Sequence, residues 1–218
     1  MMKTFLKKII EYFLSLKRKP YINQLKTVID SDTTIISTNC FAGRIMQDLN
    51  MEYNSPTVGL YFMYPDYISF LSDLRFYLGA ELRFVDKSKY PQCNERRKKW
   101  PHWYPIGVLA DRIEVHFLHY KSEEEAAEKW KRRCARVNYN KLLIIGMEQN
   151  ECCVNDIISF DKLPYERKFM FSSKELPYVK SNICVTEFLK NGKVGDPYKK
   201  GHIFYKYLCK GIIANTQF

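Results

Sequence analysis

The chain has 218 residues, 46% of them apolar, and it carries 35 Lys and Arg against 24 Asp and Glu, a formal net charge of +11. This length and composition fit one globular domain with a full core and exclude a disordered, fibrous or repeat protein. The positive charge is concentrated in residues 1–26, with a net charge of +6, and in residues 87–103, with a net charge of +5. Because the remainder is neutral, we do not expect a nucleic-acid-binding surface.

Cysteine usage indicates a reducing compartment, and hydropathy indicates neither a membrane-spanning helix nor a secretory signal. The seven cysteines are scattered, odd in number and free of any C-x-x-C pair, which favours reduced thiols over a disulfide framework or a zinc finger. The sequence has no run of about 18 apolar residues and no cleavable signal pattern. We therefore expect a cytoplasmic protein, either free or peripheral on the inner face of the cytoplasmic membrane.

Residues 1–26 are a predicted basic leader, and the helix within it is predicted to end at Pro20. Its apolar positions recur at helical spacing, and most of its lysines fall on the other side of the helix. A helix of this kind is typical of an interfacial anchor, so residues 1–19 are a candidate contact with an anionic membrane surface. The same pattern also fits a surface helix that packs on the domain and exposes a basic face. The apolar positions are Met2, Phe5, Leu6, Ile9, Ile10, Phe13 and Leu14.

Predicted strands and helices alternate in the rest of the chain, which we interpret as a single α/β domain over residues 33–218. The predicted strands are Thr33–Thr38, Thr57–Phe62, Leu82–Val85, Ile113–His119, Leu142–Gly146, Lys168–Ser172 and Ile183–Glu187. The predicted helices are Ala42–Leu49, Pro65–Gly79, Glu123–Val137, which begins at a capping box, and Asn155–Phe160. The alternation implies a three-layer α/β sandwich with a mainly parallel sheet covered by helices on both faces.

Residues that directly follow strands are the first candidates for a site, because ligands bind outside the carboxyl ends of parallel strands. Cys40 follows the first strand at the start of a helix, where backbone N–H groups would lower a thiol pKa or bind an anion. His119 closes a later strand. Cys40 and His119 are therefore a candidate catalytic nucleophile and base, with Asn39 and Tyr120 orienting or donating. A cysteine in this position is also common as a small buried hydrophobe.

No metal or cofactor is identified. His116 and His119 would point to opposite faces of one strand, so they do not form a chelate. We expect His116 to be a core histidine or to pair with Glu114. The histidine pairs of zinc-binding helices, the dinucleotide-binding glycine motif and the P-loop are all absent.

Two basic segments have alternative interpretations. Arg133 and Arg136 lie on the predicted helix Glu123–Val137, where they either favour its carboxyl end or clamp a phosphate or carboxylate. The segment Gln92–Trp103 interleaves four basic residues with two tryptophans. It suits a single-stranded nucleic acid, a lipid surface, a loop over an anionic substrate, or a solvated surface loop.

Several stretches of the chain resemble one bacterial family, catalogued as domain of unknown function 1919. They include STNCFAG at residues 37–43, PDYISFLSDL at 65–74 and HFLHYKSEEEAAEKWKRRCARVN at 116–138. Members are often labelled exopolysaccharide or capsule biosynthesis proteins. The resemblance implies a three-layer α/β fold and a common site lined by Cys40, His119, Tyr120, Trp130 and Arg133. Phe41 replaces the family's usual tryptophan and keeps an aromatic ring for stacking on a sugar.

We therefore expect a protein of cell-surface polysaccharide assembly, a transferase acting on a sugar or nucleotide-sugar at the cytoplasmic membrane face. In this hypothesis Cys40 or His119 does the chemistry, and Arg133 and Arg136 hold phosphate. The alternative is a non-catalytic, membrane-peripheral binding module of the same pathway.

Overall fold

A computed structural model describes residues 2–215 of the chain, with side chains for residues 9–213. Between residues 2 and 215 it contains eight helices and nine strands. The helices are α1 (Met2–Leu25), α2 (Phe41–Asp48), α3 (Tyr64–Ser72), α4 (Leu74–Gly79), α5 (Pro91–Lys99), α6 (Glu123–Cys134), α7 (Val154–Asp161) and α8 (Gly201–Asn215). The strands are β1 (Thr34–Ser37), β2 (Leu82–Phe84), β3 (Ile106–Leu109), β4 (Ile113–His116), β5 (Leu142–Met147), β6 (Lys168–Ser172), β7 (Asn182–Cys184), β8 (Leu189–Lys190) and β9 (Lys193–Val194).

A four-stranded sheet in the order β1-β5-β6-β7 forms the centre, and every pair in it is parallel. Its apolar side chains alternate between two core clusters, so that Ile36 and Ile144 face one layer of helices and Ile35 and Ile145 face the other. The first cluster packs under α3 and α7, and the second packs under α2 and α8. The predicted α/β fold with a mainly parallel sheet covered on both faces is thereby confirmed.

A second sheet, β2-β3-β4, is antiparallel throughout. The predicted strands near Leu82 and Ile113 exist, but they lie here and not in the parallel sheet. β4 ends at His116 and not at His119, because the chain turns there and the N–H of Leu118 donates to the carbonyl of His116 at 2.9 Å.

The predicted strand Thr57–Phe62 is wrong. Gly59 has φ of +79°, a left-handed conformation that interrupts extended backbone, and the segment forms a turn. Only an isolated bridge between Tyr61 and His116 pairs it with β4. This turn places the carbonyl groups of Val58, Gly59 and Leu60 beside the residues that follow β1 and β4.

Helix α1 continues through Pro20, so the predicted end of the leader at that residue is also wrong. It packs against α8. Arg18 is almost fully buried, and its guanidinium pairs with Asp48 at 2.9 Å and with Glu11 at 3.1 Å. Tertiary burial of Arg18 and Leu25 on either side of the proline thus maintains the helix. None of the helices within residues 2–215 is long and apolar enough to cross a membrane.

The region carboxyl-terminal to β6 departs from the predicted pattern. The expected strand Ile183–Glu187 is the shorter β7, which begins at Asn182 and ends at Cys184. A two-stranded antiparallel ribbon of β8 and β9 follows, and then helix α8 covers the sheet.

Gly146 in β5 allows the side chains of Tyr64 in α3 and Met170 in β6 to pack closely over it. A Cβ at this position would lie 2.5 Å from the Met170 Sδ and 2.6 Å from the Tyr64 hydroxyl. We predict that Gly146→Ala lowers the free energy of unfolding by about 1–3 kcal/mol through overpacking. Gly79→Ala is the matched control, since no atom lies within 4 Å of its Cβ position. Urea unfolding of the two variants measures the difference, and equal midpoints would contradict the close packing described.

Candidate functional site

A cleft of about 570 Å³ opens at the carboxyl ends of β1 and β5. Its walls are formed by the exits of these two strands, the segment before α3 with Tyr61, the end of α5, the turn with Leu118, the end of β8, and the loop after β9. Its lining residues are Asn39, Cys40, Tyr61, Arg96, Trp100, Leu118, His119, Gln149, Asn150, Lys190, Asp196, Pro197 and Tyr198. The structure therefore places Asn39, Cys40 and His119, three of the sequence-predicted site residues, in one cleft.

Asn39 and Gln149 hold the floor of the cleft together. The Asn39 Nδ2 donates to the Gln149 Oε1 at 2.9 Å, and the Asn39 Oδ1 accepts from the N–H of Phe41 at 3.0 Å. The Gln149 Nε2 in turn donates to the carbonyl of Gly195 at 2.9 Å. These amides link the exits of β1 and β5 to the loop that follows β9, so Asn39 positions the cleft wall.

The expectation of a lowered Cys40 pKa and an open helix N-terminus is wrong. Burial raises the pKa of Cys40 to about 12, and the nearby carboxylate of Asp196 adds to the effect. The first N–H groups of α2 are already used, since that of Ala42 donates to the Ser37 Oγ at 2.9 Å and that of Phe41 is bonded to Asn39. The Cys40 thiol donates to the carbonyl of Leu60 at 3.5 Å, so it is protonated at neutral pH.

His119 enters the cleft from the turn after β4. Its backbone N–H donates to the carbonyl of Gly59 at 3.0 Å, which fixes it against the same turn that Cys40 contacts. The residue is exposed, and partial desolvation of its ring lowers the pKa below the ordinary value of 6.5. The imidazole is consequently neutral at pH 7 and can accept a proton.

Cations and aromatic rings line the other walls. The Arg96 Nη1 donates to the Asn150 Oδ1 at 3.2 Å, and its guanidinium lies over the ring of Tyr61 with 5.3 Å between the guanidinium carbon and the ring centroid. Trp100 is 37% exposed at the end of α5. Tyr198 donates its hydroxyl to the carbonyl of Cys40 at 3.0 Å. The segment Gln92–Trp103, which was open to several interpretations, is thus mostly a helix whose Arg96 and Trp100 face the cleft.

Tyr120 and Arg133 lie outside this cleft and form a buried polar pair. Both donate to the carbonyl of Val58, Tyr120 at 2.6 Å and Arg133 at 3.1 Å, and Arg133 also donates to the Tyr120 hydroxyl. They therefore hold the Val58–Leu60 turn in place from behind.

The remaining sequence-predicted residues also lie away from the cleft. Trp130 is buried between Phe70 and Phe117. Phe41 is fully buried against the sheet. Arg136 forms an ion pair with Glu52 at 2.7 Å at the surface. The structure thus does not bring Phe41, Tyr120, Trp130, Arg133 and Arg136 to a common site with Cys40.

His116 is a core histidine that pairs with Glu114, as expected. Its Nε2 lies 3.4 Å from the Glu114 Oε2, and its ring stacks on Tyr61 at 4.6 Å between centroids. Burial lowers its pKa. His116 therefore supports the Tyr61 wall of the cleft from beneath. Among the residues with described side chains, no group of three His, Cys, Asp or Glu is arranged to hold a metal ion.

Sequence reasoning missed eight cleft residues, namely Tyr61, Leu118, Gln149, Asn150, Lys190, Asp196, Pro197 and Tyr198. Gln149 and Asn150 follow β5 directly, so the rule that pointed to Asn39 could also have found them. Tyr61 was assigned to a strand that does not exist. Lys190 and Tyr198 come from the carboxyl-terminal part of the chain, which carries no recognisable motif.

These features define an α/β protein with a cleft at the carboxyl edge of a parallel sheet. The chain belongs to the family described as Domain of unknown function (DUF1919), whose model matches residues 11–212. It is 35% identical over 185 residues to an uncharacterized protein of Haemophilus influenzae, an alignment that covers 84% of this chain and 83% of that protein. The family resemblance deduced from the motifs is confirmed.

The protonation state of Cys40 predicts its reactivity. With a pKa of about 12, roughly one thiol in ten thousand is ionised at pH 8. We predict that brief treatment with iodoacetamide alkylates the exposed Cys153 well before Cys40 in the native protein. Peptide mass spectrometry measures the two rates, and the denatured protein serves as the control in which both react. Equal rates in the native protein would restore Cys40 as a candidate nucleophile.

Proposed function

We propose that the cleft binds a phosphate-bearing activated sugar and that the protein acts on it as a transferase. The observation that carries this proposal is the combination of cationic, aromatic and amide side chains around one cleft of about 570 Å³. Pockets with a few convergent polar groups on an apolar wall are typical ligand sites.

The phosphate fits the cationic side of the cleft. Arg96 is held by Asn150, which leaves further N–H donors of its planar guanidinium for an oxyanion. Lys190 adds a second positive charge, while Asp196 is the acidic residue of the lining. This charge balance favours a ligand with one or two negative charges over a neutral one.

The sugar fits the aromatic side. Trp100 and Tyr198 are both more than a third exposed, and they line the same cleft. The electron-rich face of an aromatic ring packs well against the C–H bonds on one face of a pyranose. The side-chain amide of Asn150, whose Oδ1 accepts from Arg96 and whose Nδ2 carries two N–H donors, suits the hydroxyl groups of the same ligand.

His119 is the general base of the proposed reaction. A neutral imidazole removes the proton of an acceptor hydroxyl while that oxygen bonds to the anomeric carbon of the sugar. The bond from this carbon to the phosphate oxygen breaks, and the phosphate leaves with the bonding electrons as an anion beside Arg96. Cys40 takes no part in this step, because its thiol stays protonated.

A non-catalytic, membrane-peripheral binding module is the second candidate. The engaged amide of Asn39 and the protonated thiol of Cys40 favour it, since both groups then serve only to shape the cleft. Such a module binds the same ligands without turning them over. A setting in exopolysaccharide or capsule assembly, which the resemblance implied, is part of the proposal for either candidate.

Arg96 provides the test of ligand class. We predict that glucose 1-phosphate and UDP-glucose bind with measurable heat in titration calorimetry and that glucose alone binds far more weakly. Arg96→Gln should weaken binding of the phosphate-bearing ligands by about 10- to 100-fold, because a charge-assisted hydrogen bond contributes about 1.5–3 kcal/mol. Arg83→Gln is the matched control on the antiparallel sheet, where Arg83 pairs with Asp111. Equal binding by both variants would overturn the phosphate assignment.

His119 provides the test of catalysis. We predict that purified protein releases UDP from UDP-glucose, with water as the acceptor whose oxygen bonds to the anomeric carbon, and that His119→Gln lowers the rate by about 10²- to 10⁴-fold while leaving binding within a few-fold. Since the neutral imidazole is the active form, the rate should fall as the pH falls through a pKa below 6.5. Binding without UDP release by the wild-type protein would favour the non-catalytic module.

A further inference from the structure

Helix α1 exposes an apolar stripe to solvent. Ile10, Phe13 and Leu16 are 52%, 59% and 45% exposed, and Tyr12 beside them is 61% exposed. At 100° per residue these side chains share the outer half of the helix. Exposed large apolar residues that cluster in this way mark an interaction surface.

The domain-facing side of the same helix combines Arg18 with apolar residues of its own, namely Tyr21, Ile22 and Leu25. Arg18 is 3% exposed and pairs with Glu11 of α1 and Asp48 of α2, and Arg44 of α2 joins both carboxylates. A surface helix normally buries its apolar side and exposes its charges. α1 already packs on the domain through Tyr21, Ile22 and Leu25, so the exposed residues Ile10, Phe13 and Leu16 form a second apolar stripe that packing on this domain does not account for.

Positive charges flank the stripe. Lys17 and Lys19 are exposed on α1. Lys17 and Lys200 both lie close enough to His202 at the start of α8 to act on its pKa, which places a further cation beside the helix. An apolar stripe bordered by cations is complementary to the acyl and headgroup layers of an anionic bilayer.

We infer that α1 docks the protein on an anionic membrane surface, with Ile10, Phe13 and Leu16 buried at the boundary of headgroups and acyl chains. A second copy of this chain is a poorer occupant, because pairing two such helices brings their lysines together. The inference does not depend on the ligand of the cleft. It extends the leader-helix hypothesis by identifying which side of the helix is available.

The docked helix lies close to the cleft. Glu11 of α1 pairs with Arg44, and the guanidinium carbon of Arg44 lies 5.6 Å from the ring centroid of Tyr198, a cleft-lining residue. Two side chains therefore separate α1 from the cleft wall. A membrane-bound protein would hold this wall near the lipid surface.

Flotation of the full-length protein with vesicles tests the inference. We expect co-flotation with vesicles of phosphatidylcholine mixed with phosphatidylglycerol and much less with phosphatidylcholine alone. The double variant Phe13→Gln, Leu16→Gln should lower the affinity for anionic vesicles by about 10- to 100-fold, given the apolar area lost. The fraction that co-floats at a fixed lipid concentration measures this loss. Phe76→Gln with Tyr178→Gln removes two aromatic residues elsewhere whose exposure is similar to that of Phe13 and Leu16. This control variant should bind as the wild type does.

The charge contribution has its own pair of variants. Lys17→Gln with Lys19→Gln should weaken binding to anionic vesicles by roughly 30-fold, at about 1 kcal/mol for each lysine. Lys162→Gln with Lys180→Gln replaces two exposed lysines away from α1 and lowers the net charge by the same amount. This variant should have no such effect.

Three results would overturn the inference: no flotation of the wild type with anionic vesicles, equal flotation of the stripe and control variants, or a concentration-dependent dimer that the stripe variant abolishes. Circular dichroism melting of each variant confirms that the fold is intact. Binding of glucose 1-phosphate without vesicles is measured in parallel, so that failure of the cleft proposal is recognised separately.

Discussion

The amide contact between Asn39 and Gln149 is the interaction on which the cleft depends. It joins the exits of β1 and β5, which are neighbours in the parallel sheet, and Gln149 extends it to the loop after β9. The contact is partly buried, so an apolar replacement of Asn39 would leave the Gln149 Oε1 without this hydrogen bond, and one of Gln149 would do the same to the Asn39 Nδ2. Because Cys40 directly follows Asn39, this contact also fixes the position of the Cys40 thiol and the start of helix α2.

A second constraint operates on the opposite wall. The turn from Val58 to Leu60 is held by Tyr120 and Arg133 on one side and presents its carbonyls to His119 and Cys40 on the other. Two residues expected to bind substrate thus act one layer behind the site. Their role is to position a backbone segment. In the sequence alone, a tyrosine and an arginine used in this way look the same as residues that clamp a ligand.

Much of the central architecture could be predicted from local pattern. β1 and β5 are short, largely buried strands centred on apolar residues, and the Ser122 cap, whose Oγ accepts from the N–H of Glu125 at 3.2 Å, begins α6 as the capping box indicates. The errors arise where tertiary contacts outweigh propensity. Gly59 adopts a left-handed conformation that no periodicity reveals, and α1 passes through Pro20 because burial on both sides of the proline maintains the helix. His119 lines the cleft together with Cys40, but it does so from a turn after β4 and not from the end of a strand.

The buried ion pairs of Arg18 have a consequence for the dynamics of the whole molecule. Lifting α1 away from the domain would separate the Arg18 guanidinium from the Asp48 carboxylate, and it would expose the fully buried side chain of Leu25 to water. These contacts hold the helix against the domain that contains the cleft, in contrast to an anchor joined by a flexible tether. A protein attached through this helix would present its cleft at one constant tilt and height, so its search for a partner on the same surface would be two-dimensional.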